Sequence, residues 1–499
     1  MPSKVLMIQG TSSSAGKSLL VTALCRIFAR RGVKVAPFKA QNMSNNAGVC
    51  ADGAEIGRAQ ITQAIAAGIE PTAAMNPILL KPEANVRSQV VVMGKAWRTL
   101  SARNYFERKQ HLWDHVTAAL DGLRDEYELI IIEGAGSPAE LNLKKGDIVN
   151  MAVASYANAP VLLVGDIDRG GIFPQLIGTK WLLPEDEQQL IKAFIVNKFR
   201  GDPALFYDGV TILEEKGGVP VLGVVPWVKD LAIPEEDAVA LDTLVKARAA
   251  QTDLDIVVIK IPRVSNFDDF DPLQREAGVQ VRWVDSAEKF GNPDAIIIPG
   301  TKSTIADLRW LHESGLVEKI LAFGKQGGAV VGICGGYQML GQIVRDPDLV
   351  EATEPELEGI GLLPVETDFV GEKATYRAAA TLSADTAWLS GLSGTPITGY
   401  EIHMGRTTGA NHWLTIDERS RQEVAVADGS ISADGKIWGC YLHGLFANDD
   451  LRRAWLRSLG WQNETDHGMI DLEAEFDKLA DAVEAALDID LLEKIIDGQ

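Results

Sequence analysis

The chain has 499 residues, 46% hydrophobic and 23% charged, a globular composition at a length that predicts more than one domain. Its 48 basic against 69 acidic residues leave a net charge of −21, which repels phosphate backbones and anionic membrane surfaces, so neither nucleic acid nor a membrane is an expected partner. No apolar run approaches the roughly 18 residues of a spanning helix, and the opening MPSK leads into an apolar strand without a signal-peptide pattern, so a cytoplasmic protein whose mature form starts here is expected.

From the N-terminus, short runs rich in Val, Ile and Leu recur between helix-like stretches, at 5–8, 33–38, 129–132, 161–164, 193–196 and 221–225. That rhythm predicts a parallel sheet covered by helices. The first run opens into Gly10-Thr11-Ser-Ser-Ser-Ala-Gly16-Lys17-Ser18, followed by a helix-forming segment. Small residues there let backbone N–H groups close around phosphate oxygens, and the helix N-terminus adds a favourable dipole. Lys17 is then placed to reach the terminal phosphates of a nucleotide, and Ser18 to ligate Mg²⁺. The spacing has one residue more between its glycines than the common G-x-x-x-x-G-K-[ST] pattern, and the strand, loop and helix context carries the assignment.

Glu133 ends the run at 129–132, where ligands collect in open α/β sheets, and is a candidate second metal ligand. Asp52, in a loop after the second run, is a candidate third, with a solvated loop aspartate as the competing reading. Asn197, at another strand end, is suited to reading the nucleotide base.

After Pro226 the sequence becomes acidic and irregular, then alanine-rich. The reading is a nucleotide-binding domain over 1–232, a linker over 233–250, a second α/β domain over 251–448 and a helical tail over 449–499. The second strand series runs through 256–262, 295–300, 329–336 and 438–444. In the tail, Leu472, Phe476, Leu479, Val483 and Leu487 recur at three- and four-residue spacings, which predicts one amphipathic helix over 472–496. Its acidic polar face favours docking on the protein.

The four cysteines are too few and too scattered for a disulfide framework, and three of them read as packing. Cys334 differs. An apolar strand runs into Ile333-Cys334-Gly335-Gly336 and a helix start, the geometry of a nucleophile elbow, whose helix N-terminus helps hold a thiolate. The N–H of Gly335 is a candidate oxyanion donor, joined by that of Thr301 or a neighbour in the turn Pro299–Lys302. His443, at a strand end far along the same domain, is the preferred general base, and His403 is its competitor.

The first half resembles the dethiobiotin synthetase-like branch of P-loop proteins, which use ATP to phosphorylate a carboxylate or carbamate. The Cys334 elbow followed by a strand-end His resembles the class I glutamine amidotransferases. Many of those place a Glu two residues after the His, where this sequence has Leu445. The third triad member is therefore absent or supplied from elsewhere, as in the cobyrinate-amidating subset, which makes do with Cys and His.

Across nearly the whole chain, PFKAQNMSNN, EGAGSPAELNL, GDIDRGGIF, NKFRGD, PGTKST, GICGGYQMLG and GYEIHMGR, in that order, are similar to the cobyric acid synthase family. The resemblance implies amidation of the b, d, e and g side chains of adenosylcobyrinic acid a,c-diamide, each step using one ATP and one glutamine, with Mg²⁺. It also implies that Lys39, Gln41, Asn42, Asn45 and Asn46 line a corrinoid cleft, with a polar Asn-turn loop as the competing reading. Arg169 would steady a carboxylate or phosphoryl group there, against an ion pair with Asp166 or Asp168. Two alternatives stay open at this point: a cobyrinic acid a,c-diamide synthase, and an ATPase switch of the ParA or MinD sort. The switches carry an extra lysine early in the phosphate loop, where this chain has Ser12. A homo-oligomer is left open.

Overall fold

The computed structural model describes residues 3–83, 87–229, 231–234, 252–385, 387–462 and 471–498. Most of the predicted linker, 235–250, lies outside the described residues.

The first domain is built on six parallel strands in the spatial order Val221–Pro226, Ile191–Phe199, Val161–Asp166, Lys4–Gly10, Leu129–Glu133 and Val35–Phe38. The central strands are buried on both faces, which is why they read as continuous apolar runs. Their carboxyl ends deliver Gly10, Glu133, Asp166 and Asn197 to one rim of the sheet. Between Phe38 and Leu129 the chain makes a small four-stranded sheet, a hairpin of Ala47–Val49 with Glu55–Gly57, and the helices Arg58–Ala66 and Ala102–Glu126.

The second domain repeats the parallel theme. Val279–Val284, Leu254–Ile259, Ala295–Ile298, Ala329–Ile333 and Ile437–Cys440 lie side by side in that order. A second, largely antiparallel layer is dominated by the long pairing of Val365–Leu382 with Pro396–Gly409. The helix Asp449–Ser458 adds Leu451, Trp455 and Leu456 to this domain's core, so the predicted boundary at 448 falls too early.

The tail is two helices, Leu472–Ala486 and Ile489–Ile496, where the periodicity predicted one. The break has a local cause: Leu487 is extended and pairs with Gly223 at the edge of the first sheet, and Asp488 caps the next helix through the N–H of Leu491. Phe476, Leu479, Val483, Leu492 and Ile495 complete the core on one face of the first sheet, against the helix Lys17–Arg30. The acidic face of the tail pairs with Arg26, Arg30 and Arg31 of that helix. The chain therefore returns from the second domain to finish the core of the first.

Candidate active site

The phosphate loop is shaped by its glycines. Gly16 caps the helix Lys17–Arg30 at φ 93°, and a β-carbon there would lie 2.2 Å from Asn197 Nδ2. Lys17, buried, donates to the carbonyls of Ser12 at 2.8 Å and Ser13 at 3.2 Å, so its ammonium is folded over the loop it serves. Thr11 donates through Oγ1 to Gln175. Ser18 Oγ donates to Glu133 Oε1 at 2.8 Å, and Lys39 Nζ reaches the same oxygen at 2.8 Å. Gln63 Nε2 donates to the other carboxylate oxygen at 2.6 Å. Burial pushes Glu133 up, but Lys39, Gln63 and Ser18 outweigh it and hold the carboxyl below its ordinary value. An ionised carboxylate beside a serine hydroxyl at the mouth of a phosphate loop is a donor set that suits Mg²⁺, which takes one or two protein oxygens and leaves the rest to phosphates and water.

Three of the expected residues take partners that the sequence did not indicate. Asp52 stands apart: its carboxylate accepts the N–H of Ala54 in the hairpin turn, and the adjoining Gly53 packs on Thr375 and Ser420 of the second domain. Its hairpin turn sits at the seam with the second domain. Asn197, expected to read the nucleotide base, donates one amide N–H to the Ala15 carbonyl of the phosphate loop at 2.9 Å. Lys39, expected in the corrinoid cleft, lies against Glu133.

At the second site, Cys334 takes φ 50° and ψ −109°, a strained turn between strand and helix. A β-carbon on Gly336 would sit 1.9 Å from the Ile298 carbonyl oxygen, so the elbow closes only with glycine there. A β-carbon on Gly335 would lie 3.1 Å from the Thr301 amide nitrogen, which sets these two backbone groups beside each other. The bridge joining Val264 and Thr301 is made by Ser265 N–H to Gly300 and Lys302 N–H to Arg263, so neither bond uses the Thr301 N–H.

His443 is buried and electrostatically coupled to Cys334, whose Sγ stands 3.6 Å from the Ile402 carbonyl oxygen. Its Nδ1 stands 2.6 Å from Asp269 Oδ2, and the other oxygen of Asp269 accepts the N–H of Gly444 at 2.8 Å. Burial disfavours the imidazolium, yet Asp269 and Cys334 outweigh it and push His443 up to about 10. Asp269 is the partner that the sequence left unplaced. It sits in a short turn, Phe267–Phe270, where two aspartates embedded between phenylalanines are the one compositional signal that could have pointed to it. His403 also lines the cleft, but its ring bonds to the Gly405 carbonyl and Glu401 and stacks on Tyr441. Cys25, Cys50 and Cys440 are buried, with thiols that burial pushes up.

The cleft over Cys334 is narrow, about 40 Å³, and lies on the seam between the domains, since Lys81 and Gln89 of the first domain line it beside Thr301, Gln338 and Lys373 of the second. Across the seam Lys302 pairs with Glu83 at 2.8 Å, and Lys373 with Glu55, which Lys81 also holds.

Residues 6–239 match the CobQ/CobB/MinD/ParA nucleotide binding domain, and residues 255–451 match the CobB/CobQ-like glutamine amidotransferase domain. The chain is 56% identical over 499 residues to the cobyric acid synthase of Chloroflexus aggregans, covering 99% of each chain. It is 55% identical to that of Chloroflexus aurantiacus, over 99% of this chain and 100% of the relative, and 53% identical to that of Roseiflexus castenholzii, over 98% of each. The chain belongs to the cobyric acid synthase family.

For a cobyric acid synthase, the polar segment from Lys39 to Asn46 divides in the structure. Asn42 is buried and donates to Gln60, while Asn46 accepts the N–H of Phe267 across the seam, so neither side chain faces an open cleft. Gln41 accepts from the Tyr105 hydroxyl. Among the described residues no donor reaches the buried Oδ1 of Asn45. Arg169 is exposed and stands 3.6 Å from Asp166, and Asp168 pairs with Arg200. The ion-pair reading describes Arg169 here. Among the described residues no helix is long and apolar enough to cross a membrane.

Proposed function

We propose that this chain amidates the b, d, e and g carboxylates of adenosylcobyrinic acid a,c-diamide, using ATP for activation and glutamine as the source of ammonia. The observation that carries the reading is the pairing of a Cys334, His443 and Asp269 line with a Lys17, Ser18 and Glu133 pocket in one polypeptide of this family.

In the glutaminase half, the Cys334 thiolate attacks the side-chain carboxamide of glutamine. The N–H groups of Gly335 and Thr301 receive the oxyanion, and His443, held in one orientation by Asp269, passes a proton to the departing ammonia. Water then releases glutamate from the thioester. In the other half, a free carboxylate does not react with ammonia, because its charge repels the nucleophile and oxide is a hopeless leaving group. Transfer of the γ-phosphoryl group makes an acyl phosphate, and ammonia displaces phosphate to leave the amide. Lys17 is placed to neutralise charge that develops on the transferring group. Mg²⁺ held by Ser18 and Glu133 would supply further neutralisation of the phosphate oxygens. Gln41 and Asn45 stay as candidates for corrinoid contact.

The test is to incubate the pure protein with ATP, Mg²⁺, glutamine and the corrinoid diamide and follow product mass. Cys334→Ser abolishes glutamine-driven amidation and spares the ammonium-driven reaction, whereas Lys17→Ala stops both. Glutamine-driven turnover that survived Cys334→Ser would overturn the assignment of the thiol.

A further inference from the structure

The helix Arg58–Ala66 touches both sites. Its first residue, Arg58, crosses the seam: Nε stands 2.9 Å from Asp268 Oδ2, the guanidinium donates to the Tyr400 hydroxyl, and it lies over the Tyr400 ring at 5.0 Å. Both partners are one step from the glutaminase line. Tyr400 stacks on His443 at 5.2 Å, and the two backbones exchange hydrogen bonds of 2.9 and 3.2 Å. Asp268 is the chain neighbour of Asp269. Burial and the neighbouring Asp269 push the Asp268 carboxyl up, and Arg58 is the cation that opposes that rise, which leaves Asp269 to serve His443.

At its other end, the helix brings Gln63 to Glu133 at 2.6 Å and to the Ser18 carbonyl at 3.4 Å. The five-residue rise from Arg58 to Gln63 is about 7.5 Å of stiff helix. Ser18 donates to one oxygen of Glu133 and Gln63 to the other, so the two side chains share one carboxylate.

We propose that the helix Arg58–Ala66 couples the two sites, with Arg58 acting as a positioning residue that the nucleotide domain supplies to the glutaminase line and Gln63 sensing the Ser18–Glu133 end. The proposal rests on the amidation reading of both sites. It predicts that occupancy of the nucleotide site sets the rate at which Cys334 engages glutamine. The coupling passes through Asp268 and Tyr400, with Asp269, Asp271, His443 and Cys334 as the other titratable groups around them.

The experiment uses the full-length enzyme and three measurements. The first is glutamine-driven against ammonium-driven amidation for Arg58→Ala and Arg58→Lys. Arg58→Ala lowers glutamine-driven kcat about tenfold or more while KM for glutamine and the ammonium-driven rate stay within about twofold, and Arg58→Lys recovers part of the loss. The second is alkylation of Cys334 by 6-diazo-5-oxo-norleucine, with and without ATP, Mg²⁺ and corrinoid diamide: the wild-type labelling rate changes about threefold or more, and Arg58→Ala removes the response. The third repeats the labelling with Gln63→Leu, which also removes it. Equal loss of the glutamine- and ammonium-driven rates in Arg58→Ala would mean a packing role only and would overturn the proposal. So would an unchanged ratio, or wild-type labelling indifferent to nucleotide. Failure of the amidation reading shows separately, as glutamine-driven turnover surviving in Cys334→Ser.

Discussion

Asp269 and His443 are 174 residues apart in the chain and 2.6 Å apart in the fold. The carboxylate accepts the Nδ1–H of the imidazole, which leaves Nε2 as the nitrogen that can exchange a proton with Cys334. Replacing Asp269 by Asn sets an amide against the ring and favours the wrong tautomer. Asp269→Asn lowers glutamine-driven kcat by about 10² to 10⁴ and leaves ammonium-driven amidation intact, as steady-state rates with each nitrogen donor will show.

The same pair has a pH signature. His443 is pushed up to about 10 from an ordinary value of 6.5, so the folded state binds its proton more tightly than the unfolded state does. That contribution to stability is fully present below the unfolded value and is lost as pH rises through the folded one. Denaturant midpoints of the wild type and Asp269→Asn, compared from about pH 6 to about pH 10.5, therefore differ most at the acid end of that range and converge at the alkaline end.

Glu133 is buried against Lys39, Ser18 and Gln63. Glu133→Gln leaves Lys39 with no ionised carboxylate at that oxygen, a change that costs about 3–5 kcal/mol when a buried pair is broken. The Mg²⁺ concentration for half-maximal activity rises by about tenfold or more. Glutamine-driven and ammonium-driven amidation fall together, which separates this variant from Asp269→Asn.

Phe476 is fully buried in the tail helix, yet the core it fills belongs to the first domain. Phe476→Ala costs about 3–5 kcal/mol. The loss appears in nucleotide-domain unfolding and ATP-dependent amidation, while basal hydrolysis of glutamine by the second domain falls less. Thermal unfolding followed alongside the two activities reads the difference.

Both parallel sheets were legible because strands buried on two faces must be apolar throughout, as Leu129–Glu133 and Ala329–Ile333 are. The phosphate loop and the Cys334 elbow were legible for a related reason: each is a local strand, turn and helix whose glycines are demanded within a few residues. The long antiparallel pairing of Val365–Leu382 with Pro396–Gly409 carries only a partly alternating burial pattern and left a weaker trace. One continuous tail helix was predicted because Leu487 keeps the helical spacing, and spacing does not register that Leu487 pairs with Gly223.

Sequence alone singled out Lys17, Ser18, Glu133, Cys334 and His443 as the candidates for chemistry, since the turns that present them are short-range. Only the tertiary structure decided what stands beside them. It set Lys39 on Glu133, Asp269 on His443 and Arg58 on Tyr400, and it took Asp52 away to the seam. Those partners meet through packing of elements far apart in the chain, and an ionisable side chain carries no mark in the sequence of the distant charge that will hold it.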